Sequence, residues 1–264
     1  MNNLLSYIAL LLCAAGTLSC HAKLAPQSAQ AAQASVHDLE AKDSHGNPML
    51  LGSCDRARLE QPPYDSWFVR NYRDYPIDSA TADRLREALR GKRFTIFMGT
   101  WCGDSRREVP RMFRILDYCG VPASAIRLIM VSPADSDYKQ SPGHEERGLN
   151  LFRVPDLLIY RDGKEMGRVV ESPVVSLEKD MLTLTTGGDY TAPYQEVNYL
   201  IRLFREKGPE EIEKDLPGVC AELRPLAGSA SGLISYAHVL RATGENDKAA
   251  IVTKLQGMIF PQGK

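Results

Sequence analysis

The segment from residue 93 to 131 constrains the fold more than any other part of the chain. Phe94-Thr95-Ile96-Phe97-Met98 is a short β-rich run, and Val109, Met112, Phe113 and Leu116 then recur at helical spacing. A second apolar run, Ile126-Arg127-Leu128-Ile129-Met130-Val131, follows. Strand, helix, strand predicts a right-handed crossover and therefore a parallel pair of strands. Leu157-Leu158-Ile159-Tyr160, the turn Asp162-Gly163, and Glu165 to Val170 read as an antiparallel hairpin, because Asp-Gly supplies the positive φ that a tight turn needs. The expected fold class is α/β, a mixed sheet flanked by helices.

The flanks have different patterns. Residues 62–77 are rich in aromatics (Tyr64, Trp67, Phe68, Tyr72, Tyr75), which are expected to pack as core. Asp78 can then cap a helix in which Ala82, Leu85 and Leu89 share a face before Gly91 stops it. Residues 51–91 thus read as an N-terminal extension packed on a main domain of residues 92–190. His144-Glu145-Glu146-Arg147 reads as a short charged helix with a solvated face. Beyond residue 190 helical patterns over 193–206, 209–224, 230–243 and 246–258 predict a C-terminal helical module, residues 191–264. Within it Leu233, Ala237, Gly244, Ala249 and Pro261 sit at spacings that resemble one tetratricopeptide hairpin. Such repeats need about three units to be stable alone, so one copy is a packing element.

The N-terminus reads as an address. Leu4, Leu5, Ile8 and Leu10 to Leu12, followed by Ala14, Ala15 and Gly16, are too few to span about 30 Å of hydrocarbon but enough for an export signal. Residues 1–19 are therefore expected to be a removed signal peptide, although Met1-Asn2-Asn3 lacks the usual positive charge. Thr17-Leu18-Ser19-Cys20 resembles a bacterial lipobox with its Leu one place late, which would make Cys20 a lipidated first residue. Residues 20–50, with their Gln/Ala/Ser-rich stretch, are expected to be a tether. The location this implies is the periplasm, or the membrane of a Gram-negative envelope through a lipid anchor. Lys and Arg (32) and Asp and Glu (33) leave a net charge of −1, with no basic excess for a phosphate backbone. No nucleic-acid partner is expected.

The cysteines, at positions 13, 20, 54, 102, 119 and 220, contain no C-x-x-C pair and no zinc-ligand spacing. Cys102 stands apart. In Trp101-Cys102-Gly103-Asp104-Ser105 the first strand hands over to the helix, so Cys102 falls at a helix N-terminus. There unpaired N–H groups and the helix dipole favour a thiolate, and Arg106 and Arg107 add positive charge. His37, His45, His144 and His238 are isolated, with no metal-binding pattern, and neither a metal nor a cofactor is expected.

These residues resemble the thioredoxin family, whose W-C-G-P-C signature sits at the same junction. Pro110 matches the family's kink-forming proline, Val154-Pro155 resembles its cis-proline segment opposite the cysteine, and Arg161-Asp162-Gly163-Lys164 resembles its final hairpin turn. The likeness spans about residues 92–185 and implies a thioredoxin-like fold running strand, helix, strand, helix, hairpin, helix.

The departures shape the mechanism it implies. Ser105 stands where the family has its second cysteine, and a hydroxyl cannot form the resolving disulfide. Ile96 replaces the buried carboxylate that assists the resolving thiol, and Asp104 replaces proline beside Cys102. Cys119 lies about 25 Å along the same helix and cannot substitute, whereas Cys54 and Cys220 stay open as partners. The expectation is monothiol thiol–disulfide exchange with protein thiols or disulfides. Cys102 and Ser105 form the catalytic pair of positions, and Trp101, Gly103, Asp104, Val154 and Pro155 shape the substrate groove. The alternative is a non-catalytic binding or adaptor module on the same scaffold.

Overall fold

The computed structural model describes residues 37–261; the expected signal peptide, Cys20 and the first part of the tether lie outside the described residues. Six strands form one mixed sheet in the order β1-β2-β4-β3-β5-β6. They are β1 (Leu39–Lys42), β2 (Pro48–Ser53), β3 (Arg93–Met98), β4 (Ile126–Met130), β5 (Asp156–Arg161) and β6 (Lys164–Val170). β3 and β4 are parallel and joined through α4 (Gly103–Tyr118), whereas β3–β5 and β5–β6 are antiparallel. At the hairpin turn Asp162 and Gly163 have φ of 52° and 76°, the two left-handed residues expected of this turn. The α/β class, with a mixed sheet and flanking helices, is what the chain adopts.

Strand alternation separates two faces. Phe94, Ile96 and Met98 of β3, with Leu157 and Ile159 of β5, join a core beneath α4, whereas Phe97, Ile129 and Leu158 form a second core on the opposite face. The aromatic extension belongs to the first core: Tyr64 and Phe68, the latter on α2 (Asp65–Arg73), are buried there with Phe113 of α4. Pro110 inside α4 has no N–H for the Arg106 carbonyl, and Asn71 of α2 fills the gap by donating Nδ2–H to that oxygen at 2.9 Å. The unpaired Arg106 carbonyl is thereby a docking point for the extension. α3 (Ser79–Ala88) starts where expected, its Asp78 carboxylate accepting from the Thr81 N–H.

Three expectations need correction. Residues 39–50 are not tether but β1 and the start of β2. Met49 and Leu50 are buried in the sheet, and Asp43 closes the hairpin by accepting from the N–H groups of His45 and Asn47. Residues 144–147 are not a solvated helix. His144 and Asn150 have φ of 53° and Gly148 of 79°, which breaks any helical run, and Glu146 is buried, accepting from the Ser141 N–H at 3.0 Å and its hydroxyl at 2.5 Å. β4 therefore reaches β5 through a long loop with one short turn at Asp135–Asp137. The expected helix 209–224 is two, α7 (Pro209–Glu213) and α8 (Leu216–Leu223), because Asp215 leaves helical geometry to cap the Gly218 N–H next to Pro217.

The remaining helices are α1 (Arg56–Leu59), α5 (Leu177–Thr186), α6 (Gln195–Glu206), α9 (Ser231–Ala242) and α10 (Asn246–Ile259). α6 to α10 surround a core of their own that also takes in Phe152 and Val170. The Ser235 hydroxyl of α9 donates to the Phe152 carbonyl at 2.6 Å, tying the helical module to the loop before β5. Among the described residues no helix is long and apolar enough to cross a membrane.

Candidate functional site

β3 ends at Met98, and Gly99-Thr100 carries the chain to Trp101. Any Cβ at position 99 would collide with the Trp101 ring, so glycine is what lets the indole fold back over the strand end. The ring is fixed there by Nε1–H donating to the Val131 carbonyl at 2.8 Å. Cys102 follows as the N-cap of α4, with extended backbone (φ −85°, ψ 125°) and its carbonyl accepting from the Arg106 N–H at 3.0 Å. Its thiol is half-buried and donates to the Val154 carbonyl oxygen at 3.4 Å. The Val154–Pro155 peptide is cis. Cys102 and the Val154-Pro155 segment, remote in sequence, thus meet face to face.

Ser105 is fully buried, its hydroxyl accepting from the Gly99 N–H at 3.3 Å, and it braces the junction that presents Cys102. Asp104 pairs with Arg107 at 2.7 Å, and Arg107 also holds Glu108. Arg106 donates Nε–H to the Thr100 carbonyl. Asp104 and Arg107, two of the charges flanking Cys102 in sequence, thus offset each other. At Gly103 a Cβ would meet nothing, so no contact demands glycine there.

Four residues of the site are not singled out by the sequence. Arg153, beside Val154, pairs with Glu171 at 2.9 Å, and the Tyr194 hydroxyl donates to the same carboxylate. Burial pushes the Glu171 carboxyl above its ordinary range; Arg153 and Lys139 oppose the shift and Asp104 adds to it. Lys139 lies with its ammonium over the Trp101 ring, 5.1 Å from the centroid. Arg153 could have been found from its place next to the Val-Pro pair, whereas nothing local marks Lys139 or Glu171.

The other described cysteines are free thiols inside the cores. Burial pushes the Cys119 thiol up to about 11 and raises that of Cys54, and Cys220 accepts from Arg224 at 3.8 Å. Of these four cysteines Cys102 is the accessible one. His37, Asp38 and Asp55 cluster at the surface, the two ring nitrogens of His37 facing different carboxylates at 3.0 and 3.6 Å.

Fold and site together define a mixed α/β protein that presents one half-buried cysteine at a helix N-terminus, opposite a cis Val-Pro segment. No family model and no curated protein matches the chain. It is similar to a solved structure, a protein of unknown function from Pseudomonas aeruginosa, with 17% identity over 50% of this chain and 92% of that one and a TM-score of 0.39.

Proposed function

We propose that this is a thioredoxin-like protein of the bacterial envelope in which Cys102 carries out monothiol thiol–disulfide exchange. The observation that carries the reading is the half-buried Cys102 thiol at the N-terminus of α4, with its sulfur 3.4 Å from the Val154 carbonyl oxygen. The helix terminus favours the thiolate, which is the nucleophile. That thiolate attacks one sulfur of a substrate disulfide, forming a mixed disulfide with Cys102 and releasing the other sulfur as a thiolate. Ser105 cannot displace the bound partner. An external thiolate attacks the partner's sulfur instead, leaving with it as a new disulfide and returning Cys102 to thiolate. Trp101 and the Val154-Pro155 segment form the walls along which the partner chain lies.

A second reading, a non-catalytic adaptor, draws on the same hydrogen bond, because a thiol that donates to a carbonyl is engaged as a donor and not offered as a nucleophile. Alkylation decides between them. The exchange reading expects Cys102 to react with iodoacetamide at neutral pH faster than a model peptide thiol. Cys54 and Cys119, buried, should react only on unfolding. A Cys102 rate no faster than the model thiol would establish the adaptor.

The envelope location rests on the export-signal and lipobox patterns ending at Cys20. Wild type is expected in the membrane fraction and Cys20→Ala in the soluble fraction or with its signal retained. Finding wild type wholly in the cytoplasm would remove this part of the proposal.

A further inference from the structure

Lys139 carries a positive charge that the fold leaves unused. Its side chain is 5% exposed, and its ammonium stands 4.5 Å from the Tyr138 ring centroid and 5.1 Å from that of Trp101. Among the described residues neither a carboxylate nor a carbonyl pairs with it. The two carboxylates of the site are already paired, Asp104 with Arg107 and Glu171 with Arg153 and Tyr194. The stem of Lys139 is buried, and its ammonium is the part left to solvent, beside aromatic faces that hold a cation without neutralising it. The backbone fixes the charge in place, with the Lys139 N–H donating to the Ser132 carbonyl and the Gln140 carbonyl accepting from the Ser132 N–H. The ring beneath the ammonium belongs to Trp101, the residue next to Cys102 in the chain.

We propose that Lys139 is the anchor for a carboxylate carried by the partner of Cys102, so that the site selects anionic disulfides. This rests on the exchange reading and names its substrate class. Lys139 forms an ion pair with that carboxylate as the partner's sulfur reaches Cys102. The exchange itself is unchanged.

The test uses the full chain and two aryl disulfides, dithiobis(nitrobenzoate), which bears a carboxylate on each ring, and neutral dithiodipyridine. Each rate is normalised to a model peptide thiol, with the Cys102→Ala chain as the blank for the other cysteines. Wild type is expected to favour the anionic probe by about tenfold, a preference that declines as salt rises from about 0.05 to about 0.5 M. Lys139→Met should lower the ratio of the two rates about tenfold, and Lys139→Arg should restore most of it. An unchanged ratio in Lys139→Met overturns the anchor, and so does a wild-type ratio that ignores salt, a measurement that needs no variant to fold. If neither probe reacts above the Cys102→Ala blank, the exchange reading fails and the anchor with it; if both react at a ratio near one, only the anchor fails. Mixed disulfides of peptides with Asp or Asn beside the cysteine then assign the source. Preference for Asp assigns the carboxylate to a peptide side chain, and equal rates assign it to a small anionic thiol.

Discussion

Ser105→Cys is expected to convert the chain into a dithiol reductant, raising insulin reduction about a hundredfold or more, because the second thiol would act intramolecularly in place of one from solution. The geometry is favourable. Positions 102 and 105 are the N-cap and third residue of α4, and residues three apart on a helix lie within the span a disulfide bridges. Ile96 would hold the variant below a complete dithiol enzyme, since no carboxylate stands there to take the proton from the new thiol. Wild type should do the reverse and accumulate partners in reductant-sensitive adducts that vanish in Cys102→Ala and persist in Cys54→Ala. If Ser105→Cys forms a disulfide between its new thiol and Cys102 yet reduces no insulin, the groove does not admit a disulfide substrate. If Cys102→Ala retains its partners, the thiol is incidental to a binding surface.

The parts of this site legible in the sequence are those encoded locally. Trp101 to Ser105 could be placed because a β-run and a helical period meet there, and the hairpin because Asp162-Gly163 declares its own backbone. β1 escaped notice because its four residues, Leu39–Lys42, are mostly exposed and become a strand only by pairing with buried Met49 and Leu50. The loop before β5 was misread because the charges at 144–147 suit a helix surface, whereas Glu146 is used to satisfy Ser141 inside the protein. The charged rim of the site was hidden for a sharper reason. Lys139, Glu171 and Tyr194 have φ of 57°, 63° and 58°, a left-handed conformation that side chains of their kind seldom adopt. Tertiary contacts impose it, as when the Glu171 N–H donates to the Pro155 carbonyl at 2.7 Å.

A second large effect is expected at Asp156, the residue after the cis proline. It is 2% exposed on the face of β5 opposite α4, with Oδ2 accepting from Arg168 Nη1 at 2.9 Å and Oδ1 without a donor. Arg168 is shared: its Nε and Nη2 hold Glu165, and its Nη1 also reaches the Leu149 carbonyl. Half an arginine fork does not repay the loss of water, and burial pushes the Asp156 carboxyl from 3.8 up to about 7. Between those values the folded state binds a proton that the unfolded chain has released. The contribution of Asp156 to stability is therefore present below about 4 and lost as pH rises to about 7, a direction opposite to that of a surface carboxylate in an ion pair. Glu171 and Glu196 are raised by burial in the same sense, so the measurable quantity is the difference between wild type and Asp156→Asn in urea unfolding at pH 5 and pH 7.5. Asp156→Asn should remove part of the decline. Arg168→Met should destabilise by about 3–5 kcal/mol at the higher pH, where the carboxylate would be buried without a cation, and by less at pH 5, where it is protonated. A wild-type decline identical to that of Asp156→Asn, or an Arg168→Met loss that is no smaller in acid, would mean that Asp156 stays ionised in the folded protein and that Arg168 alone offsets its burial.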